Sequence, residues 1–221
     1  MSLETVLTVV YFILALLPAI VLHELSHGLV ADRMGDPTAR NMGRLTLNPV
    51  KHIDPFGTVI LPGLLLLPRL FGQFGTPVFG YAKPMPFNPQ NLRDPDRQTM
   101  WIALAGPLTN LFLAFVGALG LRLAGGIPAL SAPGAIPGLA DLLFTFVLVN
   151  VILAVFNVLP LPPLDGSKVL ARFLPPRARQ LYVSWEAYGA LFLLVIFFIF
   201  PGAIFGFITP IVEGLLSLLL G

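Results

Sequence analysis

Long apolar runs separated by short polar stretches dominate the chain. The first run extends from about Leu3 to Ala31 and stops at Asp32-Arg33-Met34-Gly35-Asp36-Pro37, where Gly35 and Pro37 terminate a helix. The second, about Phe56 to Phe71, is short and is broken by Pro62-Gly63 and again by Pro68. The third covers about Gln98 to Ala124, and the fourth about Leu139 to Leu159. The fifth, about Ser184 to Phe200, ends at Pro201-Gly202, and the sixth, about Ala203 to Leu220, is interrupted by Thr209-Pro210. Between the second and third runs the chain is rich in Gly, Pro and Asn, and Pro77-Val78-Phe79-Gly80-Tyr81-Ala82 is expected to form a short hairpin strand.

An α-helix needs roughly 20 mostly apolar residues to cross a bilayer, and these runs are long enough. Composition agrees. Of 221 residues 56% are hydrophobic and 11% charged, with mean hydropathy +0.87, whereas a soluble domain carries about 25% charged residues. The expected fold class is therefore an all-α membrane protein, a polytopic helical bundle embedded in the cell membrane. A net charge of +2 without any basic run gives no footprint for nucleic acid. The absence of cysteine excludes a thiolate metal site. Met1-Ser2-Leu3-Glu4 lacks the basic stretch of a signal peptide, so the first run is expected to be retained. No soluble module flanks the runs, and residues 1–221 are expected to form one domain, with a core over about 1–170 and a C-terminal helical hairpin over about 182–220.

Charge then orders the crossings. Basic residues fall in three groups: Arg33, Arg40, Arg44 and Lys51; Lys83, Arg93 and Arg97; and Lys168, Arg172, Arg177 and Arg179. Residues 125–138 contain none. The positive-inside rule puts all three groups in the cytoplasm, which requires the second run to enter and leave on the same side. Its proline breaks suit a re-entrant element. The predicted topology is about five crossings, one re-entrant segment and the small hairpin, with the N-terminus outside and the C-terminus inside.

The sharpest chemical signal is His23-Glu24-Leu25-Ser26-His27, an H-E-x-x-H pattern inside the first run. On a helix, positions four apart share a face, so both imidazoles can reach one metal ion, and the glutamate between them can take a proton from the attacking water. Ionisable groups within a span cost a few kcal/mol and mark function. A catalytic zinc site takes three protein ligands and leaves one position open, yet no third histidine follows His27 closely. The best distant candidate is Asp165, in Asn157-Val158-Leu159-Pro160-Leu161-Pro162-Pro163-Leu164-Asp165-Gly166. There the prolines break the fourth run as it leaves the membrane, and Gly166 permits a sharp turn beside the carboxylate. With the second run re-entrant, Asp165 emerges on the same side as the two histidines; with a full crossing it would not. His52 reads either as a metal-site group or as a loop histidine at the membrane surface. Asn110, in Gly106-Pro107-Leu108-Thr109-Asn110, and Asn157 carry two readings: holding an extended substrate strand or the developing oxyanion, and ordinary interhelical hydrogen bonding. Arg122 and Glu213 have no assigned partner.

Together, His23-Glu24-Leu25-Ser26-His27-Gly28, Gly106 through Asn110, and Asn157 through Gly166 resemble the site-2 protease family of intramembrane zinc metalloproteases, in the family's order, up to about Leu170. The resemblance implies that His23, His27 and Asp165 bind one Zn2+ per chain and that Glu24 is the catalytic acid/base. It implies membrane-spanning protein substrates cut within the lipid bilayer, with the active site near the cytoplasmic side. Asn48 to Asn88 is similar to compact prokaryotic members, and within residues 1–221 the PDZ or CBS domains of many relatives are not expected. Ser167 stands where many relatives have a second glycine. Two rival functions use the same residues: a metal-ion transporter, which wants a polar path through the whole membrane, and an inactive relative that binds helices without cutting them. Substrate identity and oligomeric state are not encoded in these motifs.

Overall fold

The computed structural model describes residues 3–55, 57, 82–127, 138–186, 188, 189, 191, 193, 195 and 201–221. These residues are all-helical apart from loops. The helices are α1 (Leu3–Arg33), α2 (Thr38–Asn41), α3 (Pro95–Leu123), α4 (Leu139–Val158), α5 (Asp165–Phe173), α6 (Pro176–Ser184) and α7 (Pro201–Leu220), with single 3-10 turns at Pro49–His52 and Pro89–Asn91. Three of them, α1, α3 and α4, are long and apolar enough to cross a membrane. The expected re-entrant segment (56–71) and hairpin (77–82) lie outside the described residues, apart from Gly57 and Ala82.

Local chemistry sets the helix ends. Asp94 caps α3, its carboxylate accepting from Arg97 N at 3.1 Å, and Pro95 follows at the first helical position, where a missing N–H costs nothing. Asp141 reaches back from the first turn of α4 to accept from Gly138 N at 2.8 Å. Pro18 and Pro107 sit inside α1 and α3, as prolines do in membrane helices whose neighbours satisfy the freed groups.

Helix association relies on small residues. Ala15 and Ala19 of α1 pack on Val149 of α4, and Ala114 and Ala118 of α3 pack on Val147 and Val151. Gly117 is needed here, because a Cβ would lie 2.9 Å from the Phe146 ring. In lipid, where tails are as apolar as the side chains, such close approach is what drives packing. The opposite face of α3 exposes Leu108, Phe112, Phe115 and Leu119, one stripe at helical spacing.

The direction of each helix follows from contacts at its ends. Gln98, near the start of α3, donates to Met34 O at the end of α1, so the two run antiparallel. Arg122, in the last turn of α3, donates to Leu219 O at 2.9 Å, which places the end of α7 at the end of the bundle where α3 finishes. Glu186, just after α6, lies 3.7 Å from Lys168 at the other end. Glu186 and Leu219 therefore stand at opposite ends of the bundle. The expected C-terminal helical hairpin over about 182–220 runs through residues 187, 190, 192, 194 and 196–200, which lie outside the described residues. Ile204, Ile208 and Val212 then pack onto α3 and α4.

At the loop end, one buried acid ties the elements together. Asp36 is fully buried and accepts from Thr38 N and Oγ, from Asn88 N at 2.7 Å and from Asn91 Nδ2 at 2.7 Å. Burial pushes its carboxyl up, but these donors outweigh that and hold it below the ordinary value. A group with a depressed folded pKa stabilises fully above its unfolded value, about 3.9, and the contribution fades as pH falls through the folded one. Asp36→Ala is expected to lose about 3 kcal/mol, read as a lowered thermal midpoint in detergent at pH 7. The gap should narrow as the pH is taken below about 4.

Candidate metal centre

The middle of α1 presents His23 and His27 on one face, both buried, with ring centroids 4.7 Å apart and edge-to-face. Asp165, the first residue of α5, meets them from the other side. Its Oδ2 lies 3.1 Å from His23 Nε2 and 3.2 Å from His27 Nε2, and the two Nε2 atoms are 3.1 Å apart. Gly166 makes this convergence possible through packing: a Cβ there would lie 2.0 Å from Val158 O. Only a residue without a side chain lets α5 start against the end of α4.

The remaining ring nitrogens fix which atoms can bind a cation. His27 Nδ1 lies 2.6 Å from Ile102 O, a carbonyl that only accepts, so Nδ1 carries the proton. His23 Nδ1 lies 2.6 Å from Asn110 Oδ1. Asn110 Nδ2 is committed to Ala19 O and Asn150 Oδ1, so its oxygen faces His23 and His23 Nδ1 also donates. With Nδ1 donating on each ring, the neutral form of both imidazoles turns Nε2 lone pairs towards one point, where a carboxylate oxygen joins them. Three lone pairs at this separation repel unless a cation lies among them. Ligands 2.0–2.2 Å from a tetrahedral zinc stand about 3.3 Å apart, close to the distances here. The donor set fits zinc, and His23, His27 and Asp165 are the one such group among the described residues.

Glu24, half-buried beside these ligands, has its Oε2 engaged by Met85 N at 2.7 Å. Met85 belongs to a strap without regular structure, 82–88, that meets α1 at Glu24. Arg44, itself buried, donates to Lys83 O at 2.9 Å, His52 O accepts from Lys83 N, and Asp36 takes Asn88 N. The Met85 side chain lies where a Cβ on Gly28 would come within 3.0 Å of its sulfur, so Gly28 gives the strap room to close on α1.

The other sequence candidates separate. Asn110 is fully buried, with both ends of its amide engaged inside the protein. Asn157 is half-buried and donates to Leu153 O, which leaves its oxygen facing away from that bond. His52 stands outside the cluster, its Nε2 2.8 Å from Thr46 O. Arg122 caps α7, and Glu213 is exposed on that helix. Sequence reasoning missed the roles of Asn150, Arg44 and the Met85 amide. Asn150 carried a signal, an amide in the middle of a strongly apolar run. A backbone N–H carries none.

The family model of peptidase family M50 matches residues 11–200. The chain belongs to peptidase family M50. It is 39% identical over 189 residues to the Bacillus subtilis protein named "Putative zinc metalloprotease YwhC", covering 85% of this chain and 80% of that one. It is 33% identical over 180 residues to "Putative zinc metalloprotease Rip2" of Mycolicibacterium smegmatis, covering 81% of this chain and 63% of that longer relative. A 69-residue stretch is 45% identical to "Putative zinc metalloprotease MJ0611" of Methanocaldococcus jannaschii, covering 31% of each. No solved structure matches the chain. The M50 assignment agrees with the site-2 protease motifs, and with three apolar helices it makes this chain a membrane metalloprotease.

Proposed function

We propose that this M50 protein is an intramembrane protease that hydrolyses peptide bonds within membrane-spanning segments of other proteins. His23, His27 and Asp165 hold one zinc ion per chain, and residues 1–221 work as a single catalytic domain. The observation that carries the reading is the meeting of two Nε2 lone pairs and one carboxylate oxygen at 3.1–3.2 Å, with Glu24 beside them. Zinc held there supplies a Lewis acid that makes water nucleophilic near neutral pH. Glu24 takes the proton from the attacking water and returns it to the leaving amine. The Met85 amide, bonded to one oxygen of Glu24, leaves the other for this work. A helix hides its carbonyls, so the substrate must open locally, and Asn157 holds the opened strand with its free amide oxygen. Asn110 serves by orienting His23. The three basic loop groups support a site near the cytoplasmic side of a multi-pass protein.

The test is metal analysis of the detergent-purified protein. Wild type is expected to carry one zinc per chain and Asp165→Ala almost none, because two ligands leave the ion far more weakly held. Unchanged zinc in Asp165→Ala would remove that carboxylate from the set. A wild type that binds no zinc would end the metal reading.

A further inference from the structure

Behind His23 lies a second amide that the chemistry above does not use. Asn150, on α4, is fully buried in the apolar interior. Its Nδ2 donates to Phe146 O at 2.9 Å, one turn back on its own helix, and its Oδ1 accepts from Asn110 Nδ2 at 2.8 Å. The Asn110 amide in turn donates to Ala19 O at 3.2 Å and turns its oxygen to His23 Nδ1 at 2.6 Å. Amide orientations are assigned from their partners, and here two backbone carbonyls decide them. Phe146 O and Ala19 O accept only, so each must face a nitrogen. The chain of bonds therefore has one direction, from the Asn110 amide towards Asn150 at one end and from the His23 ring towards Asn110 at the other. Reversing any amide would set donor against donor in a buried site, at a cost of a few kcal/mol.

We propose that Asn150 is a positioning residue for the metal centre: by fixing the Asn110 amide it holds His23 in the tautomer whose Nε2 is free to bind the ion. Every helix of the central bundle then contributes to one ligand, α1 supplying the imidazole, α3 the first amide and α4 the second. Without the Asn150 oxygen, one N–H of Asn110 has no acceptor, and the amide can rotate away from His23. The inference rests on the metal reading above.

The experiment measures zinc affinity of the full-length protein in detergent by chelator competition, and the visible spectrum of the cobalt-substituted protein. Asn150→Leu, Asn110→Ala and the double variant are compared with wild type. Loss of a group that orients a metal-bound histidine weakens the metal by 10–100-fold, and roughly tenfold is expected for Asn150→Leu, with a shifted cobalt spectrum. The double variant should be no weaker than Asn110→Ala alone, because Asn150 acts through that amide. Asn150→Ser, too short to reach Asn110, is the second variant should leucine prevent folding, and it should show the same loss. Wild-type affinity and spectrum in either Asn150 variant would overturn the proposal, as would a further loss in the double variant equal to that of Asn150→Leu alone. A wild type that binds no zinc would instead overturn the metal reading and this inference with it.

Discussion

Glu24→Gln is expected to keep a full complement of zinc and to lose cleavage of a membrane-spanning test peptide by about 10²–10⁴-fold. The two side chains have the same shape, and the glutamine oxygen still accepts from Met85 N, so the strap stays on α1. What disappears is the ability to take and return a proton. Glu24→Ala differs in a useful way: it also leaves the Met85 amide without its acceptor, and a buried donor left unpaired costs about 1–3 kcal/mol. The alanine variant should therefore lose thermal stability as well as activity, whereas the glutamine variant loses activity alone. Gel-based cleavage, zinc content and thermal midpoints measured on the same preparations separate these effects. Full cleavage by the glutamine variant would remove Glu24 from the acid–base role.

The parts legible in the sequence are those fixed by local geometry. The spacing of His23 and His27 on a helix needs no tertiary information, because one turn brings i and i+4 together. The long helices were legible for a similar reason: α1, α3 and α4 begin and end within three residues of the expected runs, since apolar length and caps are local properties. Asp165 was reachable only by asking on which side the fourth run emerges, or through the family motifs. The placement of α7 was not legible. Hydropathy marks apolar segments without giving their direction. A tertiary contact places the end of α7, with Arg122 on the carbonyl of Leu219. The strap was hidden for a different reason. Its grip on Glu24 is a backbone amide, present at almost every residue, and the side chains that place it, Arg44 and Asp36, look like ordinary loop charges until their burial is known.

Gly106→Ala is the second large effect expected, and it tests the packing around the ligands rather than the ligands themselves. Gly106 lies on α3 directly against the imidazoles: an added Cβ would stand 2.5 Å from His23 Nε2 and 2.5 Å from His27 Nε2. Neither ring can retreat freely, because His23 Nδ1 is tied to Asn110 and His27 Nδ1 to Ile102 O. The methyl group would occupy space beside the very lone pairs that face the cation. Zinc affinity is expected to fall roughly 100-fold or more, beyond the range for losing a group that merely orients a ligand. Helix propensity pulls the other way, since alanine is favoured over glycine by about 1 kcal/mol within a helix. Helical content should therefore persist while the metal is lost. Gly120→Ala on the same helix is the matched control, since its Cβ would meet Leu143 at 3.5 Å, an ordinary contact. It gains the same propensity and should keep its zinc. Equal zinc affinity in the two variants would mean that the imidazoles do not pack against Gly106, and a centre built from His23 and His27 in their present orientations would have to be abandoned.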